Sequence, residues 1–302
     1  MTPRTARLAG SLATVMVLVA GPAHTQELEP RAFSNVPVGV NFGAAAYGFV
    51  AGNVLFDPVL PAEDVHADMH SVTVAYLRAI DFFGLSSKID VLVPAVTGRW
   101  EGLYEGVDST RTANGFADPR VRLSVNFIGA PALTPQEFAS YQPGTIVGMS
   151  IQVWLPLGQY DPDRLLNIGS HRWTFRPQLG VSHTMGDWIL EATVSVWLFT
   201  RNGNFSGGNT LQQHPFVAGK VHVVRTISRR VWLALAGGIG TGARNVLNEV
   251  PTDTRQTAFR VGLTGVWEFV PRHTARLNLV TTKRIERGPD FEAVVLSYQY
   301  RW

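Results

Sequence analysis

The sequence contains no cysteine and few charged residues, and both absences narrow what the protein can be. None of its 302 residues is cysteine, which excludes disulfide frameworks, thiolate metal sites and thiol redox chemistry. Asp, Glu, Lys and Arg make up only 16% of the chain, against about a quarter in soluble domains. The net charge of +3 has no basic run behind it, so we expect no nucleic-acid partner. The composition favours a membrane location or a very large core.

Long apolar runs are also missing, apart from residues 8–20. Arg4 and Arg7 precede that run and small residues follow it, which is the order typical of an export signal. We therefore predict a signal peptide over residues 1–25 and a barrel domain over residues 26–302. A single membrane anchor is the competing interpretation, but the run is shorter than the roughly 20 residues that a spanning helix needs. The exported chain is then either soluble or crosses a membrane as strands.

Apolar and polar residues alternate over much of the chain, which is typical of strands with two different faces. In RVRLSVNF, residues 120–127, the polar side chains of one face alternate with Val121, Leu123 and Val125 on the other. Comparable runs predict strands at 38–50, 70–80, 87–98, 118–128, 144–157, 172–184, 188–201, 215–227, 230–241, 255–269, 274–285 and 291–302.

The predicted connections alternate between short turns and generally longer loops. Short antiparallel turns at one end and longer loops at the other are typical of outer-membrane barrels. We therefore predict an all-β fold, a single antiparallel up-and-down transmembrane β-barrel of about 12 strands. An exported β-sandwich would also alternate, but its strands are usually shorter and its wetted face carries more charge. A barrel of this size is expected to enclose a narrow passage or a binding cavity, since about 16 strands are needed for a wide aqueous channel.

The sequence ends on a fully alternating strand, VVLSYQYRW, with Trp302 as its last residue. Chain ends usually fray, so such an ending indicates that the last strand completes something. We expect it to pair with the first strand and close the barrel, which removes the exposed edges. An aromatic-ended final strand also resembles the signal that the barrel-assembly machinery recognises, and we expect that machinery as a partner.

The polar faces carry the charged residues, and energetics predicts their orientation. An arginine that faces lipid at mid-depth costs about 2–4 kcal/mol, so we expect the charged rows to face the lumen and the apolar rows to face outer-membrane lipid. The predicted lumen residues, as structural pairs or as a transport path, are Arg120, Arg122, Arg176, Glu191, Lys220, His222, Arg260, Glu268 and Arg276. The predicted membrane-interface aromatics are Trp173, Trp188, Trp267, Tyr300 and Trp302.

Catalytic and metal-binding patterns are weak. The pairs His70–Ser71 and Ser182–His183 are immediate neighbours and should point to opposite faces of a strand, so no serine nucleophile has its base beside it. His66, Asp68 and His70 share a parity and could hold a metal, but surface polar residues are ordinary at a loop-to-strand junction. We expect neither an enzyme nor a cofactor or metal.

Two segments, GFADPRVRLSVNFIGAPAL at 115–133 and PLGQYDPDRLLNIGSHRWTFRPQLGVS at 156–182, resemble the transporter family named for the meta-pathway of phenol degradation. The stretches at 27–42 and 197–205 are similar to that family as well, so the resemblance covers essentially the whole exported chain. It implies an outer-membrane barrel that moves small hydrophobic or aromatic solutes inward, in a Gram-negative-type cell. The triplet His171-Arg172-Trp173 departs from the asparagine that relatives often have before the arginine.

The loop inside the second segment has two interpretations. Its polar residues either hold the loop together, with Asp163 pairing with Arg164 or Arg172, or form the constriction at the mouth of the barrel. These residues are Asp161, Asp163, Arg164, Asn167, His171 and Arg172. Function has two interpretations as well: a passive channel, or a scaffold or surface-binding barrel whose lumen is plugged by its own charges.

Overall fold

The computed structural model describes residues 28–54, 59–60, 62–164 and 166–302. The predicted signal peptide at 1–25 lies outside the described residues. The strands are β1 Asn41–Asn53, β2 Ala62–Phe82, β3 Leu85–Tyr104, β4 Val107–Phe116, β5 Arg120–Ile128, β6 Thr145–Trp154, β7 Thr174–Met185, β8 Trp188–Phe199, β9 Asn202–Phe205, β10 Asn209–Gln213, β11 Phe216–Thr226, β12 Val231–Gly242, β13 Asn245–Leu247, β14 Val250–Pro251, β15 Gln256–Val270, β16 His273–Arg284 and β17 Asp290–Arg301. One short helix, α1 Pro135–Phe138, lies between β5 and β6.

The long strands form one closed antiparallel barrel. Each pairs with its neighbours in chain order, with β4 and β5 sharing one position along β3, which makes twelve strands around the wall. The first and last strands pair over their full length, from Phe42↔Arg301 to Asn53↔Asp290. The predicted closure of the barrel by the C-terminal strand is therefore confirmed, and so is the predicted fold class.

The two faces of the wall have opposite chemistry. Large apolar side chains are exposed on the outside, as Leu235 at 57%, Leu263 at 48% and Leu296 at 57% show. Polar and charged side chains are buried on the inside. This inversion suits a barrel with acyl chains outside and contradicts the β-sandwich alternative, in which apolar rows pack against each other. Within the described ranges, no helix is long and apolar enough to cross a membrane.

The barrel has a turn end and a loop end. At the turn end the connections are short, as at Gly84 and Gly186 where φ is positive, except for residues 129–144 that contain α1. At the loop end, β9, β10, β13 and β14 form a second, four-stranded sheet. Its side chains Phe205 and Leu211 pack with Leu60 in an apolar cluster over the opening.

The predicted strands leave connections at 51–69 and 99–117, but both stretches are largely strand in the structure. β2 begins at Ala62, β3 runs to Tyr104, and β4 returns from Val107 to Phe116 along β3. β4 has no apolar row. In the first part of β2 the apolar row is the buried one, with Val65, Ala67 and Met69 inside, so neither stretch shows the outward apolar row that predicts the other strands.

Candidate functional site

The segment before the first strand lies inside the barrel. We call residues 28–38 the N-terminal segment; most of its side chains, including Glu29 and Phe33, are buried. The wall holds its backbone: Lys88 Nζ donates to the carbonyl oxygen of Ala32 at 2.6 Å, and Asn126 Nδ2 donates to that of Phe33 at 2.9 Å. The segment therefore occupies the lumen from the turn end upward.

Three arginines surround the carboxylate at the inner end of this segment. Arg122 Nη1 donates to Glu29 Oε2 at 2.8 Å, while Arg120 Nη1 and Arg176 Nη2 lie 3.5 and 3.8 Å from the Glu29 carboxylate. Asp90 accepts from Arg120 Nη2 at 2.9 Å and from Arg122 Nε at 2.6 Å. All five side chains are almost completely buried. We call Arg120, Arg122, Arg176 and Asp90 the arginine site.

Strand register places most of the arginine site in one row. Asp90 on β3 is opposite Arg122 on β5, which is opposite Gln152 on β6, which is opposite Arg176 on β7. Residues that are directly opposite on paired strands point to the same face of the sheet, so all four side chains lie inside the barrel. Arg120, two residues before Arg122, shares its face and donates to Gln152 Oε1 at 3.1 Å.

Aromatic rings border the arginine site. The guanidinium carbon of Arg176 lies 5.5 Å from the ring centroid of Trp154 and 4.9 Å from that of Trp197. Guanidinium groups at these distances are attracted to the ring faces. Trp197 also packs edge-on against Phe216. The site therefore combines fixed positive charge with flat apolar surfaces.

A second polar group fixes the segment nearer the turn end. The backbone N–H of Arg31 donates to Glu191 Oε2 at 2.7 Å, and His222 Nδ1 lies 3.7 Å from the same carboxylate. The guanidinium groups of Arg31 and Arg276 lie 5.5 and 5.8 Å from the ring centroid of Trp232. Glu191, which the sequence places in the lumen, thus anchors the segment.

Two glycines make room for a phenyl ring. Gly148 on β6 pairs with Gly180 on β7, and the ring of Phe33 packs against both. A Cβ at Gly148 would come within 2.5 Å of Phe33 Cδ1, and a Cβ at Gly180 would overlap Phe33 Cε2. The wall therefore forms a slot for an aromatic ring, which the protein's own Phe33 fills.

One part of the loop end of the lumen is apolar. Trp100, Met69 and Phe291 from the wall pack in one buried cluster with Ile168 from the β6–β7 loop. Trp100 Nε1 donates to the carbonyl oxygen of Val54, so even its polar atom is satisfied. This apolar cluster lies between the arginine site and the loop end of the barrel.

The β6–β7 loop is clamped by a residue that the sequence did not single out. Asp118 Oδ1 accepts from the N–H of Gly158 at 2.8 Å, and its Oδ2 accepts from the N–H of Ser170 at 2.9 Å. Both ends of the loop are thereby held against the break between β4 and β5. The loop folds over the barrel as a fixed structure.

Of the six predicted loop residues, most contact each other or the loop. Asp161 pairs with Arg164 at 3.0 Å, so Asp161 has the role that we expected of Asp163. The amide of Asn167 bonds to Asp161 and Arg164, and the N–H of Asp163 donates to Asp161 Oδ1.

The other two loop residues lie at its end. His171 has φ 52° and stacks on Tyr160 with ring centroids 4.6 Å apart. Arg172 is buried, donates to Gln213 Oε1 at 2.8 Å and lies over the ring of Phe199. Arg172 is thus the member of the set that points into the loop end of the barrel.

The structure places eight of the nine predicted lumen residues in buried positions on the inner face. Glu268 is half-buried near the turn end, where it accepts from the N–H of Arg272 at 2.8 Å. The charges do not form one path. Some surround the N-terminal segment, while Arg260 lies apart and donates to Thr282 Oγ1 at 2.7 Å.

The predicted interface aromatics lie near strand ends. Trp173, Trp188, Trp267 and Trp302 are about half exposed, and Tyr300 is intermediate. At the turn end, Tyr300 stacks on Trp302 with ring centroids 5.6 Å apart, and Arg225 lies over Trp188. Trp188, Trp267, Tyr300 and Trp302 lie at the turn end, whereas Trp173 lies at the loop end.

The fold does not bring the candidate catalytic residues together. His70 and His183 are exposed, whereas Ser71 and Ser182 are buried on the other face. His66 and Asp68 lie 3.6 Å apart on the exposed face of β2. Among the residues that the structure describes, no three potential ligands are grouped to hold a metal.

Sequence reasoning missed Glu29, Phe33 and Asp118 as parts of the site. Glu29 and Phe33 precede the first strand, where there is no periodicity to assign a face. The one available signal was the pair Gly148 and Gly180, since glycines on the inner row of paired strands mark a close approach by another group.

Residues 33–295 match the family described as "Putative MetA-pathway of phenol degradation". The chain belongs to this family. No curated protein matches it. The resemblance inferred from residues 115–133 and 156–182 is confirmed.

Solved structures share the fold. An outer membrane channel from Pseudomonas putida F1 has a TM-score of 0.75 and 17% identity, over 91% of this chain and 100% of that chain. The beta domain of the Bordetella autotransporter BrkA has a TM-score of 0.53 and 11% identity, over 87% of this chain and 100% of that chain. At these identities the likeness shows the architecture of outer-membrane barrels.

Proposed function

We propose that this member of the family is an outer-membrane channel for passive uptake of small hydrophobic or aromatic compounds. The observation that carries the proposal is the lumen: it is closed by a tethered segment whose Phe33 occupies a phenyl-sized slot between Gly148 and Gly180. Withdrawal of that segment would open a passage lined by aromatic and polar groups. The family's link to phenol degradation supports aromatic solutes.

The proposed orientation follows from the two ends. Short turns face the periplasm in outer-membrane barrels, so we place on that side the turn end with the start of β1, the end of β17 and the aromatic pair Tyr300 and Trp302. Export by the predicted signal peptide at 1–25 and insertion by the barrel-assembly machinery through β17 belong to the same proposal. A solute would then reach the apolar loop end first and the arginine site next.

The second candidate is a barrel without transport, in which the segment is a permanent plug. Its support is the number of bonds that hold the segment, including Lys88 Nζ to the carbonyl oxygens of Ala32 and Ser34 and Asn35 Nδ2 to that of Pro131 at 3.2 Å. Both candidates share the same closed structure. They differ in whether the segment leaves the lumen.

A reducible cross-link separates the two candidates. The chain has no cysteine, so Arg31→Cys with Glu191→Cys introduces the only thiols, at positions joined by a 2.7 Å hydrogen bond. A short bis-thiosulfonate linker should fix the segment in place. We expect the linked protein to lose ionic conductance in planar bilayers and uptake of radiolabelled phenol by intact cells, and reduction to restore both.

There are two controls: the cysteine-free wild-type protein treated with the same linker, and the double cysteine variant that receives no linker. Unchanged conductance and uptake after quantitative linking would contradict withdrawal of the segment. Absence of both before linking, in a correctly folded protein, would favour the permanent plug.

A further inference from the structure

We infer that the arginine site binds the carboxylate group of an aromatic carboxylate, and that Glu29 occupies this position when no solute is bound. The inference rests on the proposed channel function and names its solute class. The Glu29 carboxylate lies in a cage of Arg120, Arg122 and Arg176, as a bound carboxylate would. It enters that cage from a segment that is not part of the barrel wall.

Charge balance is the first argument. Among the described residues, nine arginine and lysine side chains are buried against four buried carboxylates, those of Glu29, Asp90, Asp118 and Glu191. Removing Glu29 from its position would leave three guanidinium groups of the site with the single carboxylate of Asp90. Buried cations without balancing charge are strongly destabilising, so an anion that takes the place of Glu29 favours its withdrawal.

The shape of the site favours a carboxylate that carries a ring. Guanidinium groups suit planar carboxylates, and Arg122 already donates one bond to each of two carboxylates, those of Glu29 and Asp90. Trp154 and Trp197 lie against Arg176 and provide flat apolar surfaces at the edge of the cage. A ring attached to the carboxylate would lie in that aromatic border, below the apolar loop end.

Tethering explains how Glu29 can be both a good ligand and a replaceable one. A group on a short flexible linker competes at an effective concentration on the order of millimolar. An aromatic carboxylate that makes the same bonds and adds ring contacts can exceed that competition. Displacing Glu29 would release the segment and open the lumen for the solute that displaced it.

The test measures binding to the purified full chain by equilibrium dialysis at pH 8, with benzoate, benzyl alcohol and inorganic phosphate as probes. We expect Glu29→Gln to bind benzoate at least about tenfold more tightly than wild type, since the tethered competitor is removed. Glu29→Gln with Arg122→Met should lose that gain. Asp253→Asn, which changes an exposed loop carboxylate, should bind like wild type.

Wild-type protein provides a second measurement that needs no change in the lumen. Lys88 Nζ donates to the backbone of the segment, so its release should expose this amine. We expect saturating benzoate to speed acetylation of Lys88, measured by mass spectrometry, while benzyl alcohol leaves it unchanged. Lys283, which is exposed in the structure, should react equally in all conditions.

The inference is overturned if Glu29→Gln leaves benzoate affinity unchanged, or if benzyl alcohol or inorganic phosphate gains as much as benzoate. It is also overturned if benzoate does not alter Lys88 reactivity. The channel function fails separately: it is excluded if neither wild type nor Glu29→Gln conducts ions or passes phenol. If the protein conducts ions but binds benzoate no better than benzyl alcohol or phosphate, only the aromatic carboxylate is rejected as the solute, and the channel function stands.

Discussion

At the residue scale, Asp90 and Asp253 each accept a hydrogen bond from an arginine, in opposite surroundings. The Asp90 side chain is 1% exposed and bonds to Arg120 and Arg122, whereas Asp253 is 86% exposed and lies 3.0 Å from Arg287. Removing one partner of a buried pair leaves an uncompensated charge, while exposed pairs contribute little. The two carboxylates form a matched comparison.

We expect Asp90→Asn to lower the free energy of unfolding by about 3–5 kcal/mol. Asp253→Asn should leave it unchanged within error. Urea unfolding of the protein in lipid vesicles, followed by tryptophan fluorescence, measures both. Equal effects of the two substitutions would mean that the Asp90 pairs are solvated and that the lumen is wet at this depth.

Gly180 tests the phenyl slot. A methyl group there would overlap Phe33 Cε2 and come within 2.8 Å of Thr193 Cγ2, so Gly180→Ala should expel the ring and cost about 1–3 kcal/mol. Single-channel conductance should rise because the segment loses a main contact. Gly219→Ala is the control, since its Cβ meets nothing within 4 Å. If Gly180→Ala leaves the barrel intact and its conductance unaltered, the packing of Phe33 in the slot does not keep the lumen closed.

The arginines show how far single residues could be predicted. Strict alternation with Val121 and Leu123 fixes the face of Arg120 and Arg122, because a lipid-facing arginine is too costly. The structure places both inside. Their partner Glu29 could not be predicted, since the energy that places it comes from contacts between positions more than 90 residues apart.

At the element scale, the sequence predicts strands where one face meets lipid and the other does not. The predicted 188–201 corresponds to β8 Trp188–Phe199, and 274–285 to β16 His273–Arg284. Prediction fails for β4 Val107–Phe116, because a hairpin beyond the apolar band has water on its surfaces and needs no alternation. Alternation of apolar and polar residues therefore indicates strands that cross the membrane. A strand such as β4 that pairs outside the apolar band need not show it.

The helix α1 offers a pH test at the turn end. The N–H and Oγ1 of Thr134 both donate to Glu137 Oε2 at 2.8 Å, and these bonds hold the pKa of Glu137 below its usual value of 4.5. A depressed carboxyl pKa adds stability that is present above the unfolded pKa and is lost as pH falls through the folded pKa. The cap should therefore loosen only in acid.

Thr134→Val removes the Oγ1 donor and should raise the pKa of Glu137 toward 4.5. Carbon-13 NMR of labelled glutamate carboxyls follows this titration directly. Ser109→Ala, at a partly exposed site on β4, should leave it unchanged. If Thr134→Val does not move the Glu137 titration, the bond from Thr134 Oγ1 to Glu137 is not formed in solution.

At the scale of the whole molecule, closure of the barrel and charge in its lumen are linked. Pairing of β1 with β17 encloses a space in which polar side chains must satisfy one another. Among the described residues the buried side chains carry nine cations against four carboxylates. Enclosed charge acts through a medium of low dielectric constant, so this excess should dominate which ions enter.

We therefore expect the open lumen to select anions. Deleting residues 28–36 removes one buried cation, Arg31, and one buried carboxylate, Glu29, so the excess persists while the segment is gone. The reversal potential in a potassium chloride gradient should show chloride permeating better than potassium, and the preference should weaken in molar salt because screening shortens to about 3 Å. Lys220→Gln should reduce the preference, whereas Lys283→Gln, at an exposed site, should not. A cation-selective deletion variant would show that ions bypass this charged interior, and the arginine site would then have no place on the transport path.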